Sequence, residues 1–405
     1  MIKRIRIKNF KALVDLSLEF TPLTVLVGEN SSGKSTVLQA LDFLCSITSR
    51  DIDEYLKDRD WDFSEIKSQF SSHDDSVCFE ADVEIDGTPL HWDISINNDD
   101  GKWIVKECIS SDDKKECYLS YNRGTEDHPF DFSQINIKSS ALKVLDINKT
   151  GTKMPRCSRV LFMLKTWLAS SSSLELLSPD RMRSKFSRGK TDDIGIGGEK
   201  LSAFIHDMAP NKKNELSKLV SDFIGYEVKI ATTKKGLSGW VEMFLIETWG
   251  ETEVKVKKRY ISDGLLRIIA LTAVIANHDG KKPTHTPQVS ENSSPKGLIM
   301  LDEIEDGISP AQAEMFIGRF KTIVNDMNRQ VVITSHSPVM VNYIDEADIH
   351  FMWRDAGGII HAKPLFDSAE MKETLDILNP GEVWLNYSKD EIIRMLSSPQ
   401  EVTDD

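Results

Sequence analysis

The sequence predicts an α/β fold with a mainly parallel core sheet, an antiparallel β lobe and a helical middle section. Three apolar runs, each followed by small or polar residues, begin at Leu23, Leu298 and Val331. Such runs are typical of strands that are buried on both faces of a sheet. Residues 77–121 instead alternate between apolar and polar side chains, as half-exposed antiparallel strands do. No apolar heptad repeat is sustained, so we expect no long coiled coil.

The first apolar run leads into a glycine-rich loop. Residues 28–35 spell G-x-x-x-x-G-K-S, and a helical pattern follows from Thr36. A phosphate-binding loop needs this order of strand, loop and helix, because the loop N–H groups and the helix N-terminus then face an anion. Lys34 is expected to reach the β- and γ-phosphates, and Ser35 to ligate Mg²⁺. The residues predicted to contact nucleotide here are Gly28, Glu29, Asn30, Ser31, Ser32, Gly33, Lys34, Ser35 and Thr36.

The second apolar run ends in an acidic pair, Asp302 and Glu303. Alone this is a weak signal, because buried strands often end in acidic residues. Beside a phosphate loop, however, such a pair can support the metal ion and orient or deprotonate the attacking water. We therefore expect Asp302 to hold Mg²⁺ through water and Glu303 to act on the attacking water.

The third apolar run, residues 331–337, reads VVITSHS and places His336 near the end of its strand. This strand is expected to lie parallel to the strand before the phosphate loop. Nucleotide chemistry takes place at the carboxyl ends of such parallel strands. We therefore expect His336 to reach the γ-phosphate or the attacking water.

Ser262, Asp263 and Gly264 precede a long apolar helical pattern. The simple interpretation is that Ser262 caps this helix. The sharper interpretation is that the helix N-terminus faces the γ-phosphate of a nucleotide bound to a second copy of the chain. In that case a complete site would form only in a homodimer.

The composition restricts the partners and the compartment. The 405 residues carry a net charge of −14, so any contact with nucleic acid has to come from a local basic patch. The five cysteines form no C-x-x-C pair and are expected to be reduced thiols of a cytosolic protein. Because no apolar run is long enough for a membrane span and the N-terminus has no signal-peptide pattern, we expect a cytoplasmic protein without a membrane partner.

Two segments of the middle section are basic. The predicted buried strand LELLSP, residues 174–179, leads into the more basic one, and the other is KVKKR, residues 255–259. Such segments are consistent with phosphate contacts to DNA or RNA. They are equally consistent with a solvated charged face. The residues of the first segment that would carry phosphate contacts are Arg181, Arg183, Lys185, Arg188 and Lys190.

Four motifs occur in a characteristic order: GENSSGKST, YISDGLLRIIAL, LIMLDEIEDGISP and VVITSHSPVMV. This order resembles the ABC-type ATPases, specifically the soluble heads of the SMC-like and RecF-like group. The segments IKNFKAL, LLSPDRMR and GGEKLSAFIHDM also resemble the OLD-like ATPases, many of which belong to bacterial anti-phage systems. The resemblance covers most of residues 1–345.

The resemblance implies ATP and Mg²⁺ as ligands and a homodimer closed around ATP. It also implies a role for each motif. These roles are phosphate binding by residues 28–36, metal support by Asp302, catalysis by Glu303, a switch histidine at His336, a signature at residues 262–264 that acts across the dimer, and a dimer-interface loop at residues 306–310.

The chain departs from the related patterns at three points. Asp263 stands where transporter subunits have the first signature glycine, and Gln134 is only a weak candidate for a glutamine loop. Beyond His361 there is no strand-plus-acid series like that of the Toprim nuclease fused to full-length OLD proteins. We therefore expect the effector chemistry to lie in a separate protein, such as a nuclease or a toxin.

The leading functional prediction is an ATPase that dimerises around ATP and drives or gates this effector, in anti-phage defence. The alternative is a DNA-repair ATPase of the RecF/SMC-like kind that binds DNA directly. A scaffold that binds ATP without turnover is disfavoured by Glu303 and His336. The predicted segments are 1–50 and 261–362 for the two parts of the ATPase core, 51–170 for the β/helical lobe, 171–260 for the middle section and 363–405 for a tail that could dock a partner.

Overall fold

The structure is a computed structural model that describes residues 1–70, 76–121, 137–145, 156–174, 177–184, 191, 193–235, 240–277, 297–306, 308–327 and 329–397. Within these residues the strands form three sheets. In chain order the strands are β1 (Ile2–Phe10), β2 (Leu13–Glu19), β3 (Leu23–Val27), β4 (Val77–Ile85), β5 (Thr88–Asp99), β6 (Lys102–Ser111), β7 (Cys117–Tyr121), β8 (Ser172–Leu174), β9 (Val228–Lys235), β10 (Trp240–Trp249), β11 (Thr252–Lys257), β12 (Leu298–Leu301), β13 (Gln330–Ser335), β14 (Ile349–Arg354) and β15 (Ile360–Pro364).

Helices pack on these sheets through apolar faces. In the first helix Val37, Leu41 and Leu44 are buried, a spacing that places them on one side. In chain order the helices are α1 (Lys34–Ser46), α2 (Ile52–Arg59), α3 (Phe63–Ile66), α4 (Ala141–Val144), α5 (Arg156–Ala169), α6 (Pro179–Arg183), α7 (Leu201–Asp207), α8 (Pro210–Ile224), α9 (Asp263–Asn277), α10 (Ala313–Met327), α11 (Pro338–Val341), α12 (Ala369–Thr374), α13 (Pro380–Asn386) and α14 (Lys389–Ser397).

The central sheet has the strand order β15-β14-β3-β13-β12-β8. All neighbouring pairs from β14 to β8 are parallel, and only β15 is antiparallel. The predicted mainly parallel core is therefore confirmed. Every residue of β3, β12 and β13 is buried. The carboxyl ends of these three strands consequently meet at one edge of the sheet.

Two hydrophobic cores lie on opposite faces of the central sheet. Leu26 belongs to a core that also contains residues of α1 and α5, whereas Val25 and Val27 belong to a core with residues of α9 and α10. This alternation follows from the period of two along a strand. A strand that serves two cores must be apolar at successive positions, which explains the uninterrupted apolar run before the phosphate loop.

The predicted antiparallel strands within residues 77–121 are confirmed and form one sheet with the N-terminal strands, in the order β2-β1-β4-β5-β6-β7. The side chain of Gln330 joins this sheet to the central one. Its Oε1 accepts a hydrogen bond from the Ile2 N–H at 2.9 Å, and its Nε2 donates to the Ile2 carbonyl at 2.7 Å. The domain boundaries given above stay predictions.

The middle section contains the three-stranded sheet β11-β10-β9 and the predicted helices α7 and α8. The prediction of a strand over residues 174–179 is wrong in its position. The strand β8 ends at Leu174, and Pro179 begins helix α6. The reason is local, because Ser178 accepts a hydrogen bond from the Arg181 N–H and proline is favoured at the first helical position.

The C-terminal helices α12 to α14 cap the second core. Met371, Val383 and Ile392 are buried in it, and the amphipathic helix α14 also buries Met395 and Leu396 there. Ile377 and Leu385 face solvent, with 86% and 69% of their surface exposed. Capping of the core is thus established for this tail, and docking of a partner stays a prediction.

Two expectations from composition can be compared with the described residues. Cys45, Cys78, Cys108 and Cys117 form no disulfide bond in the described part of the chain. None of the helices in the described part of the chain is long and apolar enough to cross a bilayer.

A buried carboxylate ties the antiparallel sheet to helix α4. Glu107 on β6 is fully buried and accepts hydrogen bonds from Trp92 Nε1 at 2.8 Å, Ser140 Oγ at 2.8 Å and the Ala141 N–H at 2.6 Å. Burial raises its pKa from 4.5 to about 7, against the opposing effect of these three donors.

This raised pKa predicts a dependence of stability on pH. The folded state holds the Glu107 proton more tightly than the unfolded chain, so the stability from that proton is complete below pH 4.5 and is lost as the pH rises towards 7. Relative to Glu107→Gln, which does not titrate, the wild-type free energy of unfolding should fall by about 1–3 kcal/mol between pH 5 and 7.5. Urea unfolding of both proteins measures this, and a difference that is independent of pH would contradict it.

Candidate nucleotide-binding site

The glycine-rich loop between β3 and α1 is pressed against the hairpin of β14 and β15. Gly28 has φ 149°, and a Cβ there would lie 2.1 Å from the Met352 carbonyl oxygen. Gly33 has φ 94°, and a Cβ there would lie 2.5 Å from Ile360 Cδ1. The left-handed φ favours glycine at both positions, and at Gly28 the Met352 backbone carbonyl also leaves no space for a side chain.

Lys34 begins α1 and turns its side chain back into the loop. Its ammonium donates to the carbonyls of Gly28 at 2.9 Å and Glu29 at 2.8 Å, and lies 3.3 Å from Ser32 Oγ. Burial lowers the pKa of Lys34 to about 8, while nearby carboxylates act in the opposite direction. The loop thus encloses a largely buried cation, which makes it complementary to an anion.

Two elements converge on the carboxylate of Asp302, which directly follows β12. Ser35 Oγ, in the first turn of α1, donates to Asp302 Oδ1 at 3.1 Å. The Thr334 hydroxyl on β13 donates to the same oxygen. Because the three strands concerned are neighbours in a parallel sheet, the phosphate loop and the acidic pair are brought together as the sequence predicts.

Glu303 is held in an uncommon backbone conformation beside Asp302. Its φ is 46°, in the left-handed region that costs a non-glycine residue about 1–3 kcal/mol. Its N–H donates to Thr334 Oγ1 at 2.9 Å, and its side chain is exposed. One hydroxyl, that of Thr334, therefore positions both members of the acidic pair.

His336 directly follows β13, and its backbone is held by an acidic residue outside the acidic pair, Glu305. Its backbone N–H donates to Glu305 Oε1. The other carboxylate oxygen of Glu305 is buried and has no hydrogen-bond partner among the described residues. His336 thus lies at the same sheet edge as Asp302 and Glu303, with its side chain half-buried.

The signature segment lies at the start of α9. Ser262 Oγ accepts a hydrogen bond from the Leu265 N–H at 3.3 Å, which confirms the predicted cap. The Arg183 guanidinium from α6 donates to the Ile261 carbonyl at 2.8 Å and pairs with the Asp263 carboxylate. In the described residues, no hydrogen bond or ion pair joins residues 262–264 to residues 28–36.

Helix α9 also contacts the segment after the acidic pair. Arg267, one turn beyond Asp263, forms an ion pair with Asp306. Asp306 belongs to the loop expected at a dimer interface, of which Gly307 lies outside the described residues. Helix α9 is therefore linked through Arg267 to the segment that follows the acidic pair in its own chain.

The basic segment is only partly described. Arg181 is exposed, and Arg183 has the partners given above. Lys185, Arg188 and Lys190, together with the glutamine-loop candidate Gln134, lie outside the described residues. The phosphate contacts assigned to this segment stay a prediction.

Thr334, Glu305 and Arg267 were not singled out in the sequence. Thr334 and Glu305 each stand within two residues of a predicted site residue, and that proximity is a signal present in the sequence. Arg267 carried a weaker one, as the only charge in the apolar pattern of residues 265–276.

The side chains present fit a magnesium nucleotide. A serine hydroxyl and a carboxylate oxygen are adjacent, and these are the oxygen ligands that Mg²⁺ uses together with phosphates and water. The described residues hold no cluster of three His, Cys, Asp or Glu side chains that could enclose a metal ion alone. This set of ligands suits an ion that arrives with phosphate groups.

The phosphate loop, the acidic pair and the signature helix on this parallel sheet define an ATPase of the ABC type. The chain matches the family described as AAA ATPase domain over residues 1–341, so it belongs to that family. The "OLD nuclease" of Thermus scotoductus is 48% identical over 44 residues, which are 11% of this chain and 8% of that protein.

The chain is also similar to solved head domains of SMC proteins. A crystal structure of the "SmcHead bound to the C-winged helix domain of ScpA" superposes with a TM-score of 0.55 at 14% identity, covering 92% of this chain and 99% of that chain. The "SMC head domain from Thermotoga maritima" superposes with a TM-score of 0.43 at 14% identity, covering 90% and 98% of the two chains. The first superposition shows that this ATPase has the fold of an SMC head.

The positioning role of the Thr334 hydroxyl is tested by Thr334→Val, which removes the hydroxyl but keeps the shape of the side chain. Loss of the hydrogen bonds to Asp302 and Glu303 should lower the rate of ATP hydrolysis about 10–100-fold while the melting temperature changes little. Thr272→Val is the matched control, because the buried Thr272 hydroxyl has no hydrogen-bond partner among the described residues. Equal turnover by the two variants would contradict the positioning role.

Proposed function

We propose that the chain binds MgATP in the phosphate loop and hydrolyses it in a homodimer, with the signature of one copy completing the site of the other. The observation that carries this proposal is the convergence of Ser35 and Thr334 on Asp302, beside a loop that encloses Lys34. This arrangement joins the groups that bind phosphate to the groups that support a metal ion.

The chain's own residues would divide the work as follows. Lys34 and the loop N–H groups bind the β- and γ-phosphates, and Ser35 and Asp302 hold Mg²⁺, which neutralises charge on the phosphates when bound. The exposed Glu303 carboxylate orients the attacking water and accepts its proton, while His336 contacts the γ-phosphate or that water. Thr334 is a positioning residue, because it acts through Asp302 and Glu303.

The dimer is proposed from the position of the signature. Among the described contacts of residues 262–264, Asp263 pairs with Arg183 and none reaches the phosphate loop. One turn further along α9, Arg267 pairs with Asp306. A helix N-terminus with an exposed serine is suited to an anion, and a second copy can supply one as bound ATP.

A separate effector, a nuclease or a toxin, would respond to the motion of the dimer in anti-phage defence. This part of the proposal rests on the motifs that resemble OLD-like ATPases and on the "OLD nuclease" match, of which the chain spans 8%. The SMC head crystallised with a domain of another protein supports a partner that binds the head. Unchanged phage plating by cells that carry the gene and its neighbours would argue against this role.

The ATPase assignment is tested with two variants. Lys34→Ala should abolish ATP binding, because the buried ammonium that faces the phosphates is lost. Glu303→Gln should still bind ATP but hydrolyse it at least about 100-fold more slowly, since the amide cannot accept the water proton. Light scattering after gel filtration should then show a dimer for Glu303→Gln with MgATP and a monomer for Lys34→Ala.

The exposed Glu314→Gln variant makes the same change of charge outside the site and serves as control. Wild-type turnover by Lys34→Ala and Glu303→Gln would refute the assignment of the site. Slow turnover combined with a Glu303→Gln monomer at every ATP concentration would refute the dimer alone.

A further inference from the structure

A cavity that contains no residue of the phosphate loop lies between helix α6 and the strands β10 and β11. Its volume is about 320 Å³. The structure brings the two basic segments of the sequence together here, one from each side. The residues that line the cavity are Arg183, Trp240, Val241, Glu242, Lys257, Lys258 and Arg259.

The lining is strongly cationic. Four of its side chains are Lys or Arg, and Glu242 is the one carboxylate among them. The most buried of the cations is Lys258, of which 6% is exposed. Its ammonium donates to the Ser184 carbonyl at 2.8 Å and lies 3.1 Å from Ser202 Oγ, and these partners are neutral oxygens.

Burial of this ammonium carries an energetic cost. Desolvation lowers the pKa of Lys258 to about 8, and Glu242 offsets only part of that effect. A buried cation whose direct partners are neutral is stabilised by an anion that enters the cavity. The exposed side chains of Lys257 and Arg259 add further positive charge around the same space.

The cavity also offers aromatic surface. Trp240 forms part of the wall, and at the rim the Arg259 guanidinium stacks over the Tyr260 ring, 4.6 Å from its centroid. Tyr260 is 67% exposed. Base stacking on aromatic side chains beside basic groups is the usual chemistry for binding unpaired nucleotides. The volume is at the lower end of the range of ligand pockets, about 300–1,000 Å³, and suits one nucleotide.

We propose that this cavity is a second nucleotide site, in which the phosphate is bound by Lys257, Lys258 and Arg259 and the base stacks on Trp240. The ligand is a nucleotide with a terminal phosphate, supplied either as a free mononucleotide or as the 5′ end of a single strand. Arg183, which lines the cavity, also donates to the Ile261 carbonyl, so the cavity lies beside the signature segment.

Binding is measured in the Lys34→Ala background, so that the phosphate loop does not contribute. The probes are thymidine 5′-monophosphate, a 5′-phosphorylated oligothymidylate, the same strand without its phosphate, and thymidine, each followed by calorimetry. We expect the phosphorylated probes to bind at least about tenfold more tightly than their unphosphorylated counterparts, because charge-assisted hydrogen bonds are lost in the latter. Equal affinity for the mononucleotide and the phosphorylated strand would identify a free mononucleotide as the ligand. Tighter binding of the strand would identify the 5′ end of a single strand as the ligand.

Two variants identify the site. Trp240→Ala should weaken binding about 5- to 100-fold through lost stacking, and Lys257→Glu with Arg259→Glu should weaken it at least about tenfold. Lys229→Glu is the control, because Lys229 is an exposed lysine on the same three-stranded sheet that does not line the cavity. Melting temperatures establish that each variant is folded.

Three results would overturn the proposal. They are probe binding by the wild type that is absent in Lys34→Ala, affinity that does not depend on the phosphate, and an equal effect of Lys229→Glu and the double variant. The first of these would assign the binding to the ATP sites and would leave the proposed ATPase function intact.

Discussion

The site depends on the hydrogen-bonded carboxylate of Asp302, which receives Ser35 from the helix after the phosphate loop and Thr334 from the neighbouring strand. Each of these residues comes from a different part of the chain, and only a parallel sheet with β13 between β3 and β12 brings their ends together. The same Thr334 hydroxyl accepts the N–H of Glu303 and fixes that residue in its left-handed conformation. The geometry around the Asp302 carboxylate is therefore set by the order of the strands.

The order of the strands is in turn maintained by the two cores. Successive residues of β3 belong to opposite cores, so a shift in register by one residue would exchange the two faces. Gly28 and Gly33 allow the loop to approach β14 and β15 closely, which fixes the loop against the hairpin of these two strands. On the other side, Arg267 links the signature helix to the segment after Asp302. The elements proposed to meet a second copy are thus held by the same framework as the phosphate loop.

Local patterns were sufficient to predict the phosphate loop, the acidic pair, the parallel core and the antiparallel strands, because each depends on spacing within a short segment. Thr334 and Arg183 were different. Their roles depend on which strands and helices are neighbours in the fold. The sequence around Thr334 or around Arg183 does not contain that information. The strand predicted at residues 174–179 failed for the opposite reason, since the local signal of Ser178 and Pro179 outweighed the apolar run before it. The basic cavity likewise appears only when two distant segments are brought together.

In the proposed dimer, one chain supplies half of each working site. This sharing is tested by mixing two inactive variants, Lys34→Ala, which damages the phosphate loop, and Ser262→Arg, which damages the exposed start of the signature helix. In a mixed dimer one of the two sites combines an intact loop with an intact signature. ATP hydrolysis should reappear on mixing and should depend on the concentration of both proteins. Turnover that stays at the level of the separate variants, although mixed dimers form, would show that the two copies do not share a site.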